Sequence, residues 1–354
     1  MAFLKNTWYC AGWGNELGPD DLIGRKLLGE SVLLYRTEDG VAHAIGNACP
    51  HRFAPLSMGK KVGDDVACPY HGLAFNSDGE CTLNPFGDTI PAAAKVASYT
   101  LVERWQALWI WMGDQNKADP DMIPDFSMVE PGEGVGWVNG SHEVAANYML
   151  VVDNLLDRSH VQFMHPLLIH GGAAVEGYED VQSCEQIGDM IWDYHHELNC
   201  PKYTLLSALW PEAPELSENY FDVRWEAPGS MLLDSGTGEM GSDRQVGAKT
   251  PMANLVTPAD EHNSHYFWSQ QRNMQVDTPG IDEKIKGGVS HTFKNEDGAI
   301  VAACEELMGG AELMDLNPVF LPGDAASIRA RRIMAEKIAA EQADAEPAVE
   351  VSVG

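Results

Sequence analysis

The stretch Cys49-Pro50-His51 … Cys68-Pro69-Tyr70-His71, with sixteen residues between its two arms, decides how the first part of the chain folds. Each arm carries one thiol and one imidazole. Brought together by two loops, they supply two thiolates to one iron and two imidazoles to the other, as a mixed-ligand [2Fe–2S] cluster requires. Replacing thiolate by neutral imidazole removes negative charge around the cluster. The reduced form then costs less, and the potential rises. The competing reading is a Cys2His2 zinc site, but zinc fingers group Cys with Cys and His with His. Two like arms suit a cluster whose irons have different ligands. Pro50, Pro55, Gly59, Pro69 and Gly72 fit loops whose backbone must approach the sulfurs.

The sequence around this motif reads as strands from residue 7 to about residue 115. Ser31–Arg36 and Val41–Ile45 flank Glu38-Asp39-Gly40, a hairpin signal. Leu73–Asn76 and Cys81–Leu83 flank Ser77-Asp78-Gly79-Glu80, a second one. Leu101–Arg104 and Ala107–Met112 are short, apolar and aromatic, with Trp109 and Trp111 read as core. An all-β module holding the cluster follows, placed at residues 1–125. The strand pattern stops at Gly113-Asp114-Gln115-Asn116, and Pro120, Pro124 and Pro131-Gly132 mark a loop-rich crossing. A second domain is expected over 126–345, with a disordered tail at 346–354.

Composition bounds the partners. A 354-residue chain holds two domains with cores of their own. A net charge of −30 argues against nucleic acid. No apolar run approaches the ~20 residues of a membrane span, and the first residues lack a basic-then-apolar signal. A cytoplasmic protein without membrane contact is expected. Seven cysteines are an odd count; outside the cluster they read as free thiols.

A second motif begins at Asn147 and runs to His165. Met149, Val152, Leu155 and Leu156 recur at helical spacing. Asn154, Asp157 and His160 follow at steps of three, so they are expected along one helix face. His165, five beyond His160, needs a local change of winding or the next turn. Two imidazoles and a carboxylate from elsewhere make the facial triad of non-haem Fe(II) oxygenases, with positions open for O2 and substrate. Downstream, Asp222–Ala227, Ser230–Leu233 and His265–Gln270 read as strands. His195 and His196, adjacent in a strand, point to opposite faces and read as structural. Glu296 and Asp297 open an expected helix at 291–308; either is a candidate third ligand, and capping is the competing role. Asp324 is the expected N-cap of a last helix whose Arg329, Arg331, Arg332 and Lys337 read as a solvated or subunit-facing basic patch.

With both motifs in hand, the chain resembles the oxygenase components of Rieske non-haem iron oxygenases over its full length. Within them it is most similar to the vanillate and dicamba O-demethylase group. The resemblance is carried by Asn6-Thr7-Trp8-Tyr9, Cys49 to Ser57, Cys68 to Leu73, Val152 to Asp157 with the two histidines, His265-Tyr266-Phe267-Trp268 and Arg272-Asn273. It implies an α+β architecture, with a Rieske [2Fe–2S] domain before a helix-grip-like catalytic domain of antiparallel sheet and helices. It implies cluster ligands Cys49, His51, Cys68 and His71, and iron ligands His160, His165 and Asp297. It implies a homotrimer in which Asp157 bridges His71 of one subunit to His160 of the next, with Asn154 tuning the iron's remaining position. Asn254, Leu233 and Asp234 fall where the family lines its pocket for a small aromatic substrate; the dicamba-type enzymes have a histidine where this chain has Asn254. Arg224 and Arg244 are candidates to hold a substrate carboxylate. No glycine-rich dinucleotide fingerprint follows a strand, so NADH or NADPH must be oxidised by a separate flavin- or ferredoxin-type reductase.

Three functions compete: oxidative demethylation of a vanillate-like aromatic methyl ether to a phenol and formaldehyde; N-demethylation or ring hydroxylation by the same metal sites; and a Rieske electron carrier without oxygen chemistry. A carrier needs only about a hundred residues and no second metal, so the region holding His160 and His165 speaks against it.

Overall fold

The computed structural model describes residues 3–165, 176–201, 209–244 and 246–345; the expected tail at 346–354 lies outside them. The cluster motif sits among short strands: β1 (Trp8–Trp13), β2 (Leu22–Leu27), β3 (Glu30–Arg36), β4 (Ala42–Gly46), β5 (Lys60–Val62), β6 (Asp65–Ala67), β7 (Ala74–Phe75), β8 (Cys81–Leu83), β9 (Ser98–Tyr99), β10 (Leu101–Arg104) and β11 (Ala107–Trp111). They form sheets β2-β3-β4-β9, β5-β6-β7-β8 and β1-β11-β10. Both expected hairpins are present, β3–β4 and β7–β8, and Leu101–Arg104 has its expected bounds. Three 3-10 turns between Gln115 and Val129 carry the chain across to the second half.

That half is built on one antiparallel sheet: β12 (Gly136–Val144), β13 (Glu179–Ile187), β14 (Met190–Pro201), β15 (Leu216–Glu226), β16 (Ser230–Gly238), β17 (Ala248–Lys249), β18 (Met252–Pro258) and β19 (Ser264–Arg272). The order is β12-β19-β18-β16-β15-β14-β13, with β17 paired to β16. Alternation along each strand gives the sheet two apolar faces. Leu232, Ala253, Leu255 and Phe267 pack on Trp8, Trp109, Trp111 and Phe126 of the first half. Trp8, Trp13, Trp109 and Trp111 are essentially fully buried. A buried tryptophan removes roughly 150–250 Å² from water, an upper estimate of about 4–6 kcal/mol each. These rings therefore fix the two halves together.

The other face, through Met231, Val256, Tyr266 and Trp268, packs on the helices. These are α1 (Tyr148–Leu156), α2 (Val161–Met164), α3 (Ile281–Thr292), α4 (Gly298–Met308) and α5 (Ala325–Ala345), with a π-helical turn over Phe293–Asp297 joining α3 to α4. Asn147 caps α1 by accepting from Met149 N–H at 2.9 Å. Tyr148, Met149, Leu150, Val151, Val152 and Leu156 are all buried, so α1 is a core helix apolar nearly all round.

Two expectations change here. The helix does not continue through Asp157 and His160. It stops at Leu156 because Asp157 is extended and its carboxylate accepts the Ser159 N–H at 2.7 Å, an Asx turn. Nor is the last helix's basic patch wholly on the surface. Arg331 is buried, with Nη2 2.6 Å from Asp153 Oδ2 on α1 and Nη1 2.6 Å from Glu312 Oε1. It ties α5 to the helix that leads into the histidines. Asp324 directly precedes α5, and its carboxylate accepts the Leu321 N–H at 2.6 Å, closing the 3-10 turn over Pro322–Asp324 that leads into the helix.

Candidate metal centres and their surroundings

The two cluster arms fold alike. The Cys49 N–H donates to Ala54 O and the Phe53 N–H to Cys49 O; the Cys68 N–H donates to Leu73 O and the Gly72 N–H to Cys68 O. In both loops the residue four after the cysteine has left-handed backbone: Phe53 at φ 56° and Gly72 at φ 75°. Cys49 and Cys68 are buried against Leu33, Ile45, Leu56, Val66 and Phe75. Burial, reinforced by the neighbouring Cys68, pushes the Cys49 thiol pKa up. His51 is exposed and His71 half-buried, their ring centroids 4.4 Å apart. Cysteines inside and histidines outside fit an asymmetric cluster with its imidazole edge toward a partner. A zinc ion would give no reason for that division.

The second centre forms where the Asx turn ends α1. His160 stands before the one-turn helix α2 and His165 after it, so the five-residue spacing spans a single isolated turn. Across from them is the π turn, which places Asp297 in the middle of a helical run and not at a helix start. Capping is thereby excluded as its role, and π turns of this kind are frequent at functional sites. One ligand atom from each of His160, His165 and Asp297 lies within 4.8 Å of the others. Asp297 Oδ1 is 3.4 Å from His160 Nε2 and 3.1 Å from His165 Nε2. The Asn154 Nδ2 amide donates to the same oxygen at 3.4 Å. Both Nδ1 atoms face carboxylates: His160 meets Asp157 Oδ2 at 3.3 Å and His165 meets Glu296 Oε2 at 2.5 Å.

Electrostatics follow this geometry. Burial alone would raise the Asp297 carboxyl, but hydrogen bonds and charge from the two imidazoles outweigh it and hold it at about 2. Burial disfavours charge on His160, yet Asp157 and Asp297 prevail and raise it to about 9. His165 is raised chiefly by its hydrogen bond to Asp297. A pocket that concentrates this much negative charge on two imidazoles suits a cation held by all three residues.

The comparisons agree with this geometry. Residues 7–100 match the model of the Rieske [2Fe-2S] domain, and residues 144–340 that of the vanillate O-demethylase oxygenase C-terminal domain. The chain belongs to the Rieske non-haem iron oxygenases, as an oxygenase component. Among its relatives is the oxygenase component of chloroacetanilide N-alkylformylase from Rhizorhabdus wittichii, 33% identical over 96% of this chain and 97% of that one. The oxygenase component of dicamba O-demethylase from Stenotrophomonas maltophilia is 34% identical over 94% of this chain and 97% of that one. The crystal structure of dicamba monooxygenase bound to 3,6-dichlorosalicylic acid superposes with a TM-score of 0.89 at 31% identity, covering 97% of this chain and all of that one. A Rieske oxygenase of this kind uses a [2Fe–2S] cluster, a mononuclear iron and electrons from a separate reductase. Among the described residues no helix is long and apolar enough to cross a membrane.

The remaining residues singled out in this Rieske oxygenase divide by sheet face. Asn254 pairs with Met231 across β16–β18 and faces the helices, as does Leu233, opposite Val223. Asn254 is buried and its Oδ1 accepts from the Tyr266 hydroxyl at 2.6 Å. That bond takes one lone pair of the oxygen, and the Nδ2 amide remains to donate to a ligand. Asp234 alternates with Leu233 and stands opposite Asp222 on the other face, away from His160, His165 and Asp297. Arg224 and Arg244 are on that far face too. Arg224 lies over Phe126 and pairs with Glu226; Arg244 pairs with Asp222 at 2.6 Å. Neither is aimed at the group formed by His160, His165 and Asp297. His195 and His196 do face opposite ways, meeting Asp180 at 2.9 Å and Asp222 at 3.0 Å. Sequence reasoning weighed Glu296 as a ligand or a helix cap, not as a partner of His165. Its place behind His165 depends on the π turn, for which Gly298 is the one visible signal.

Proposed function

We propose that the chain is the terminal oxygenase that demethylates a vanillate-like aromatic methyl ether, fed by a flavin- or ferredoxin-type reductase that oxidises NADH or NADPH. The change balances as ArOCH3 + O2 + 2 electrons + 2 protons giving ArOH, HCHO and H2O. Hydroxylation of the methyl carbon gives a hemiacetal, which collapses to the phenol and formaldehyde. The observation that carries this reading is the convergence of His160, His165 and Asp297 on the sheet face where Leu233 and Asn254 also point. When bound, the cluster supplies electrons singly and the iron activates dioxygen. His160, His165 and Asp297 hold the iron, and Cys49, His51, Cys68 and His71 the cluster. Met231 and Leu233 give the aromatic ring an apolar wall, and the Asn254 amide donates to a phenolic or carboxylate oxygen.

The oxygenase is proposed to act as a homotrimer, with Asp157 bridging His160 of its own subunit to His71 of the next. Within one chain, Asp157 meets Ser159 and His160, while His71 is flanked by His51, Tyr70 and Phe86. Phe53, Tyr70 and Phe86 stand exposed around the cluster edge. Val319, Phe320 and Leu321 stand exposed before Gly323, where a Cβ would lie 3.9 Å from Asp157 Oδ1. One apolar patch at each metal site suits a head-to-tail contact that closes into a ring.

A second reading, oxidative N-dealkylation, is favoured by the 33% identity to the chloroacetanilide enzyme. Both reactions oxidise a carbon next to a heteroatom. Formaldehyde release separates the readings. Purified protein, NADH and a compatible reductase are given vanillate, syringate, 3-methoxybenzoate, dicamba and N-alkyl anilides. Formaldehyde matched to NADH and O2, strongest with vanillate, is expected. Aldehyde from the anilides alone replaces the first reading by the second; NADH and O2 consumed without aldehyde from any substrate rejects both.

A further inference from the structure

We infer that Glu296 is a positioning residue for the mononuclear iron, acting through His165. The inference rests on His160, His165 and Asp297 being the iron ligands, and not on which substrate is oxidised.

Glu296 Oε2 lies 2.5 Å from His165 Nδ1, while Asp297 Oδ1 lies 3.1 Å from Nε2 of the same ring. Two consecutive residues thus grip the two nitrogens of one imidazole. On a regular α-helix neighbouring side chains diverge by about 100°. The π turn over Phe293–Asp297 lets both reach the ring. A carboxylate at Nδ1 accepts its N–H, which leaves Nε2, on the Asp297 side of the ring, as the nitrogen whose lone pair a metal ion would take. A metal-bound histidine needs that tautomer, and its outer partner both fixes the ring and raises its basicity.

His160 has the same arrangement with Asp157, but at the longer distance of 3.3 Å. Asp157 is the residue assigned to the subunit bridge, so it serves two histidines. Glu296 has no such second task, and the His165 side chain it holds is only 5% exposed. The two imidazoles are therefore oriented by carboxylates of different kinds. One is shared with the electron-transfer path; the other is dedicated to the iron.

The test measures Fe(II) affinity of the mononuclear site and the ligand-field spectrum of its Co(II)-substituted form, with the cluster intact by its visible absorption. Glu296→Ala is expected to weaken Fe(II) binding 10–100-fold. Glu296→Gln keeps an Oε1 acceptor at the same reach and is expected to bind within severalfold of wild type. Glu296→Asp keeps the charge, falls one methylene short, and is expected to bind more weakly than the Gln variant. Each weakened variant should show an altered Co(II) spectrum. Glu296→Ala with affinity within twofold of wild type and an unchanged spectrum overturns the inference. So does a Gln variant weaker than the Asp variant, since charge and not placement would then be at work. Should the Ala variant fail to fold, the order of Gln and Asp decides. A failed aldehyde assay leaves these metal readings untouched.

Discussion

Two carboxylates on the same side of the catalytic sheet are driven in opposite directions by their surroundings. Asp297 stays ionised because two imidazole Nε2 atoms face one of its oxygens. Asp193, on β14, is pushed up to about 6: burial and the charge of Asp157 outweigh Arg158, Cys184 and Arg329. Its folded pKa thus lies above the unfolded value near 4. Its proton is bound in the folded state and lost from the unfolded one between these values. Its contribution to stability is present below about pH 4 and is lost as pH rises through about 6. After allowance for solvent screening, the penalty above pH 6 is about 1 kcal/mol. Asp193→Asn should therefore be the more stable protein at pH 7.5 and show a flatter pH 4–6 profile in urea unfolding. An unchanged profile would mean that Asp193 titrates normally. At this scale the sequence was most legible for the histidines and cysteines, whose chemistry follows from residue type and spacing. It was least legible for Asp234 and Arg224, because one position along a strand reverses the face a side chain takes.

Among elements, the π turn determines most. The Gly298 N–H donates to Phe293 O, closing the i→i+5 bond, and a Cβ at residue 298 would lie 2.7 Å from that oxygen. Backbone would have to move to admit it. Gly298→Ala is expected to cost about 1–3 kcal/mol and, by shifting Glu296 and Asp297, to lower mononuclear iron content while the cluster spectrum persists. Wild-type melting temperature and iron content would show that the turn does not depend on this contact. The sequence pattern identified a helix here and placed the acids at its start, because a π turn leaves no periodic signature over five residues. In the Asn147–His165 motif the apolar period located α1 correctly. It could not show that Asp157 would break the helix, since the competing Asx turn is a local polar effect invisible to hydrophobic spacing. Arg331 looked like surface charge for a similar reason. Only the packing of α5 on α1 brings it to Asp153 and Glu312.

At the scale of the whole molecule, the two halves share a tryptophan-rich core, yet each metal site opens toward its own exposed apolar patch. In the proposed ring, each cluster serves the iron of its neighbour. Complementation tests this most directly. Chains carrying Cys68→Ala, unable to build the cluster, are co-expressed with chains carrying Asp297→Ala, unable to hold the mononuclear iron, and mixed oligomers are isolated through two different tags. Each variant alone should be inactive. If electrons cross between subunits, each mixed trimer isolated in this way has an intact cluster beside an intact iron at about a third of its contacts in a closed ring, and NADH-driven substrate oxidation should return to about that fraction of wild type. Mixed oligomers as inactive as either parent would contradict the cross-subunit path.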